Sequence, residues 1–244
     1  VQHLTQRPDW RIVLAIISLF GVLWLQAPRL GDEYRVDQDF RSFYVMNQFQ
    51  DPTLFPNDQL TSQRYVHVRM PGGGELPLHF YSLGYWLLFY AASFLVTPTF
   101  FSKLLAFIVL PITVWYLFEF GQSARGRGVG IALAATFVFL NLASPSSVSV
   151  VTGLQRAFSF SLIIVFVYYL SRQKYAGAAG AVLLSALIYP PMFVLAAVTW
   201  GLFTLTRKWP PHLQWLALRR ELGPLLVAGL LGILIMSPAF LSIS

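Results

Sequence analysis

The chain has 244 residues, 56% of them hydrophobic, 16% aromatic and only 11% charged, with a formal net charge of +7. A soluble domain carries about a quarter charged residues, so this composition excludes an ordinary soluble protein and describes a membrane protein. The absence of cysteine excludes disulfides and thiolate metal sites. The basic excess lacks the aromatic interleaving of a nucleic-acid surface and reads instead as Lys and Arg flanking apolar spans on the cytoplasmic side, with membrane lipid as the expected partner.

Arg7 and Arg11 flank the first apolar run, residues 10–27, which is uncharged after Arg11 and about long enough to cross the hydrocarbon core. The basic flank places the N-terminus in the cytoplasm, and Pro28 is expected to end the helix. No small-residue cleavage site follows, so the run is a retained span rather than a signal peptide. A sequence that starts at Val1 and stops at Ser244 just beyond an apolar run reads as a processed or truncated piece.

Residues 28–78 form a long external polar loop that holds seven of the ten acidic residues: Asp32, Glu33, Asp37, Asp39, Asp51, Asp58 and Glu75. Charges go where water is, and this is the longest watery segment; carboxylates concentrated beside a span equally fit a site. Val36, Phe40, Phe43 and Tyr44 share one face at helical spacing, which predicts an amphipathic helix over 36–49 lying on the membrane surface. Asp37 has a structural explanation as N-cap and as the i,i+4 partner of Arg41, each contributing roughly 0.5–1 kcal/mol. Asp39 has neither, and two residues advance about 200° around a helix, so Asp39 ranks above Asp37 as the functional carboxylate. Should the helix begin after both, the two side chains line one site and a divalent cation between them becomes possible. Asp51-Pro52 and residues 55–58 carry turn chemistry. Residues 71–75, PGGGE, read as a flexible hinge and lack the Lys-Ser/Thr of a phosphate loop.

Residues 79–206 are expected to form a helical bundle from apolar runs at 80–96, 100–120, 129–143 and 158–170, followed by a long stretch at 176–206. Tyr189-Pro190-Pro191 interrupts that stretch, and two prolines in a row remove backbone donors, which predicts two short helices. A basic, Trp-rich interfacial segment at 207–220 precedes a last span at 222–241. The whole is one all-α membrane domain, a polytopic transmembrane bundle of about 7–8 apolar segments. If every run crosses once, the Arg125/Arg127 and Arg172/Lys174 linkers fall outside with the loop, against the positive-inside rule. If 80–96 only dips in, both return inside, and residues 152–156 and the Tyr189 break face the polar loop. The second arrangement is preferred. Lys103 and Glu119 sit toward opposite ends of one run, where snorkelling accounts for them.

His3, His67, His79 and His212 are scattered with no i,i+4 pair, which argues against haem or pigment ligation. No G-x-S-x-G occurs, and ionisable residues within the spans are too sparse for an ion-coupled transporter. Arg156, in Gly153-Leu154-Gln155-Arg156, stands at the mouth of a span where a cation could meet an anionic headgroup; an ordinary interfacial arginine would stand there too.

A first span followed by Asp32-Glu33 and Asp37-Gln38-Asp39, with Gly126-Arg127-Gly128, Ser144-Pro145 and Gly153-Leu154-Gln155-Arg156 later on, resembles the integral-membrane glycosyltransferases of the C superfamily. The similarity covers most of residues 10–205. It implies an inverting transfer from a polyprenyl-phosphate-linked sugar on the outer face of a membrane. Asp39, Asp37, Asp32 and Glu33 would then bind or deprotonate the acceptor, and Arg156, Arg69, His79 and Gln155 would bind substrate, an arginine meeting the lipid phosphate. Pro77-Leu78-His79-Phe80 stands where that group often has His-Pro-Pro, and its large C-terminal portion has no counterpart here. The alternative expectation is a non-catalytic structural subunit of a larger membrane complex, with aromatic side chains at lipid and subunit interfaces.

Overall fold

The computed structural model describes residues 9–32, 44–54, 66–69, 75–78, 82–143, 150–207 and 215–241. Among these residues the chain is helical except for one small hairpin. The helices are α1 (Trp10–Leu30), α2 (Leu83–Ser93), α3 (Pro98–Arg125), α4 (Arg127–Ala143), α5 (Phe158–Ser171), α6 (Tyr175–Ile188), α7 (Pro190–Arg207) and α8 (Trp215–Leu241). Among the described residues three helical segments are long and apolar enough to cross a membrane: α1, α3 and Arg219–Ser237 of α8. Their outward faces carry large apolar side chains, with Trp24 83% exposed and Leu230 69% exposed, as helices that face lipid require.

Several boundaries differ from the sequence reading. Pro28 lies inside the last turn of α1, where the helix forfeits one ladder bond yet runs on to Leu30. Thr97-Pro98 does not link two runs; Thr97 caps α3, its hydroxyl accepting from the Phe100 amide at 3.3 Å, and Pro98 occupies the first turn. The helix then continues through the expected 121–128 linker as far as Arg125. Gly121 and Gly130 let α3 and α4 approach so closely that a Cβ on Gly121 would meet Gly130 Cα at 2.8 Å. The 80–96 run yields only the eleven-residue α2, about 17 Å long and too short to span.

In the polar loop, Tyr44–Phe49 is a 3₁₀ turn rather than the end of an α-helix, and residues 36–43 lie outside the described residues. Val45 and Met46 are buried in the core, and Phe49 packs edge-on against Trp86 and Tyr90 of α2. Asp51 closes the following turn, accepting from the Thr53 hydroxyl at 2.6 Å and the Thr53 amide at 3.0 Å. Those bonds hold its carboxyl below the usual carboxylate range. The expected hinge instead separates two antiparallel strands, β1 (Val66–Arg69) and β2 (Glu75–Leu78), with Arg69 opposite Glu75.

α1 packs on α3, α3 on α4 and α5, and α6 on α5, α7 and α8. One core joins α1–α5 through residues such as Val22, Phe89, Leu110 and Leu162, and a second joins α5–α8 through Phe166, Val182, Trp200 and Met236. The expected break falls at Tyr189, whose extended backbone (φ −144°, ψ 86°) ends α6 before Pro190 opens α7. Tyr175, at the start of α6, stacks on Trp200, near the end of α7, with ring centroids 6.1 Å apart, so the two helices fold back as a hairpin.

Side-chain contacts then sort the helix ends into two groups. At one end Arg11 of α1 pairs with Glu119 of α3, Arg172 after α5 pairs with the same carboxylate, and Arg127 of α4 lies over Trp10. There too the Arg207 guanidinium of α7 donates to the Gln173 side-chain oxygen at 2.8 Å. This basic end gathers both linkers whose placement the sequence left in conflict. At the opposite, loop end lie the C-terminus of α1, the 44–54 segment, α2, the start of α3 and residues 150–157.

Candidate functional site

At the loop end, Lys103 does not snorkel; it is 5% exposed on the second turn of α3. Its ammonium donates to the carbonyls of Arg29 and Asp32 at 2.7 Å each, capping the C-terminus of α1 where the helix leaves carbonyls unpaired. The stem of the acidic loop is thereby tied to α3. Leu30, Gly31, Val96, Thr97, Phe100 and Lys103 line an open cleft of about 370 Å³ at this junction.

The Gly153–Arg156 segment packs against the same turn of α3. Gly153 has φ +70°, and a Cβ there would run into the Ser102 carbonyl, so only glycine fits. Its own carbonyl accepts from the buried Tyr85 hydroxyl of α2 at 2.9 Å. Upstream, the Val150 amide donates to Asn141 Oδ1 at 3.0 Å, which ties the segment to the end of α4. Phe89 packs edge-on against Phe101, and Tyr85 against Phe158, so aromatic rings join α2, α3 and α5 beneath it. Gln50 completes the assembly by donating to the Ser93 and Val96 carbonyls at 2.8 and 3.2 Å.

Of the residues the sequence singles out, Asp32 is exposed at the α1 terminus, and Gln155 and Arg156 are half-buried in the 3₁₀ turn before α5. Ser102 touches Gly153 while its neighbour Lys103 holds Asp32, so these two groups converge on adjacent residues of α3. Arg69 lies on β1 opposite Glu75. Glu33, Asp37, Asp39 and His79 lie outside the described residues. Among the described residues no group of three or more His, Cys, Asp or Glu side chains could hold a metal ion.

Sequence reasoning missed Lys103, Tyr85 and Gly153 as the residues that assemble this end. The Thr97-Pro98 cap was the available signal, because starting α3 there puts Ser102 and Lys103 on its second turn. Glu119 is likewise buried rather than snorkelling, 8% exposed and held at 2.7 Å by Arg11 Nε. Comparison of the chain with protein-family models, curated proteins and solved structures finds no match.

Proposed function

We propose that the chain is a membrane-embedded protein of the C-superfamily glycosyltransferase type, taking a sugar from a polyprenyl-phosphate donor at the outer face of a membrane. In this reading α1 and α3–α8 make seven crossings, and α2 lies at the loop-end surface. The basic end, with the N-terminus, faces the cytoplasm. The observation that supports the reading is the convergence just described: the stem of the acidic loop and the Gly153–Arg156 segment meet on one turn of α3. A carboxylate from the loop, Asp39 before Asp37, would take the proton of the acceptor hydroxyl or amine. Arg156 would stabilise the charge developing on the departing phosphate. A divalent cation between Asp37 and Asp39 is the alternative source of positive charge.

Two experiments test it. In transfer assays with a polyprenyl-linked sugar, Asp39→Asn is expected to lose activity by about a hundredfold or more at unchanged thermal stability. Asp37→Asn should lose stability first. Full activity of Asp39→Asn removes that residue from the mechanism, and no transfer by the unmodified protein favours the structural-subunit reading. Orientation is readable because the chain has no cysteine. A single cysteine at Thr53 should react with a membrane-impermeant maleimide added outside intact cells, and one at Lys174 should react only after permeabilisation. The reverse pattern would invert the topology.

A further inference from the structure

We propose that the basic end carries a binding site for the phosphate headgroup of an anionic phospholipid, centred on Arg11 and Arg172. The site rests on the reading of the bundle as membrane-spanning and not on glycosyl transfer. The two arginines come from α1 and from the turn after α5, and α3 brings them together. Glu119 sits between them with a side chain only 10% exposed, 2.7 Å from Arg11 Nε and 3.5 Å from Arg172 Nη2, while the arginine side chains are 37% and 39% exposed. Aromatic rings fix each guanidinium on a second side: Arg11 lies 5.6 Å from the Trp115 ring centroid and Arg172 lies 4.9 Å from that of Tyr168. Arg172 also donates to the Ser123 hydroxyl.

A guanidinium carries five N–H donors, more than one carboxylate oxygen accepts, so both forks retain capacity for a second anion. Asp9 also lies 3.9 Å from Arg11 Nε, so it is three guanidiniums, Arg127 included, against the carboxylates of Glu119 and Asp9 that leave one net positive charge, equal and opposite to that of a phosphodiester. Arg127, packed 5.7 Å over Trp10, stands beside the pair. Trp10, Trp115 and Tyr168 form the kind of aromatic girdle that sits at headgroup level. What favours a lipid over a free anion is the surface leading to the site. Ile108, Ile112 and Trp115 follow one another at i, i+4 and i+7 on α3 and are 52%, 46% and 40% exposed, an apolar track for an acyl chain that ends at Arg11.

The test titrates phosphatidylglycerol, phosphatidylcholine or inorganic phosphate into the purified full chain in detergent and reads bound lipid by native mass spectrometry. Phosphatidylglycerol is expected to be retained over phosphatidylcholine and not displaced by inorganic phosphate. Arg11→Gln and Arg172→Gln should each weaken its binding roughly fivefold, the effect of about 1 kcal/mol per cation near an anionic headgroup. The double variant Arg219→Gln/Arg220→Gln removes two charges from the same end, twice that of either single variant but away from Glu119, and with screening of distant charges should change binding less than about twofold. Glu119→Gln separates a built site from diffuse attraction. It raises the positive charge yet releases both arginines, so weaker binding is expected. Stronger binding by Glu119→Gln, or equal loss in the 219/220 double variant, would overturn the site. So would equal retention of the two lipids, or displacement of phosphatidylglycerol by inorganic phosphate. If Glu119→Gln does not fold, the comparison of Arg172→Gln with the 219/220 variant still decides. A protein without transfer activity leaves this site standing, whereas one that alkaline carbonate strips from membranes removes the site and the spanning reading together.

Discussion

Gly153→Ala should be among the most damaging single-methyl changes in the chain, lowering stability by about 3 kcal/mol or more. The residue has φ +70°, which an L side chain adopts only at a cost, and the new Cβ has nowhere to go because the Ser102 carbonyl occupies its position. Relief requires the 150–157 segment to lift from α3, which breaks the Tyr85 bond to the Gly153 carbonyl and displaces Arg156. Gly126→Ala is the control. It has φ +91° but open space around it, so it carries backbone strain without a collision, about 1–3 kcal/mol. Thermal unfolding of the two variants in the same detergent, followed by circular dichroism, measures the difference. Equal losses would mean that the approach to Ser102 is looser than described.

Trp200→Ala should cost about 3–5 kcal/mol, the range for deleting a fully buried aromatic side chain. Trp200 is 0% exposed, packs against Phe166 and stacks on Tyr175, so it fills the centre of the second core and holds the α6–α7 hairpin shut. Trp200→Phe retains most of the volume. It also deletes an indole N–H that is buried without a hydrogen-bond partner, so its cost should stay under about 1.5 kcal/mol. Chemical denaturation of both variants in mixed micelles checks the pair. A mild effect of Trp200→Ala would place the stability of α6–α8 elsewhere, in the contacts of α8.

What could be read from the sequence was what depends on local chemistry. Pro190-Pro191 breaks the long apolar stretch at Tyr189 as expected, because proline acts on its own backbone whatever surrounds it. Arg172 meets Arg11 through Glu119 at the end opposite the polar loop, the relative placement that the preferred arrangement requires, because α2 is too short to span. The errors share a cause. Lys103 and Glu119 look like snorkelling charges when only their own apolar run is visible. Their partners are Arg29 and Asp32 in one case and Arg11 and Arg172 in the other, all more than forty residues away. The β1–β2 hairpin was hidden for a different reason. Val66 and Val68 alternate as a strand should, but four residues are a short signal and Pro77 argues against a strand in β2. The acidic residues ranked first for chemistry, Asp37 and Asp39, lie outside the described residues, so their ranking still rests on helical geometry alone.

The break at Tyr189 has a consequence for the surrounding membrane. α5 and α6 have fourteen residues each, about 21 Å of helix, whereas α1 with twenty-one residues reaches about 32 Å. The hydrocarbon core of a typical bilayer is about 30 Å thick. Phe160 of α5 and Leu184 of α6 present half-exposed apolar side chains, so if these helices cross as proposed, lipid there must shorten to meet them while lipid beside α1 need not. With all seven crossings of the proposed function, the protein would impose an uneven hydrophobic mismatch, thinning the bilayer beside α5 and α6 more than beside α1. Such a body dissolves best in a thin, compressible membrane, and a thick, sterol-stiffened one would tend to exclude it.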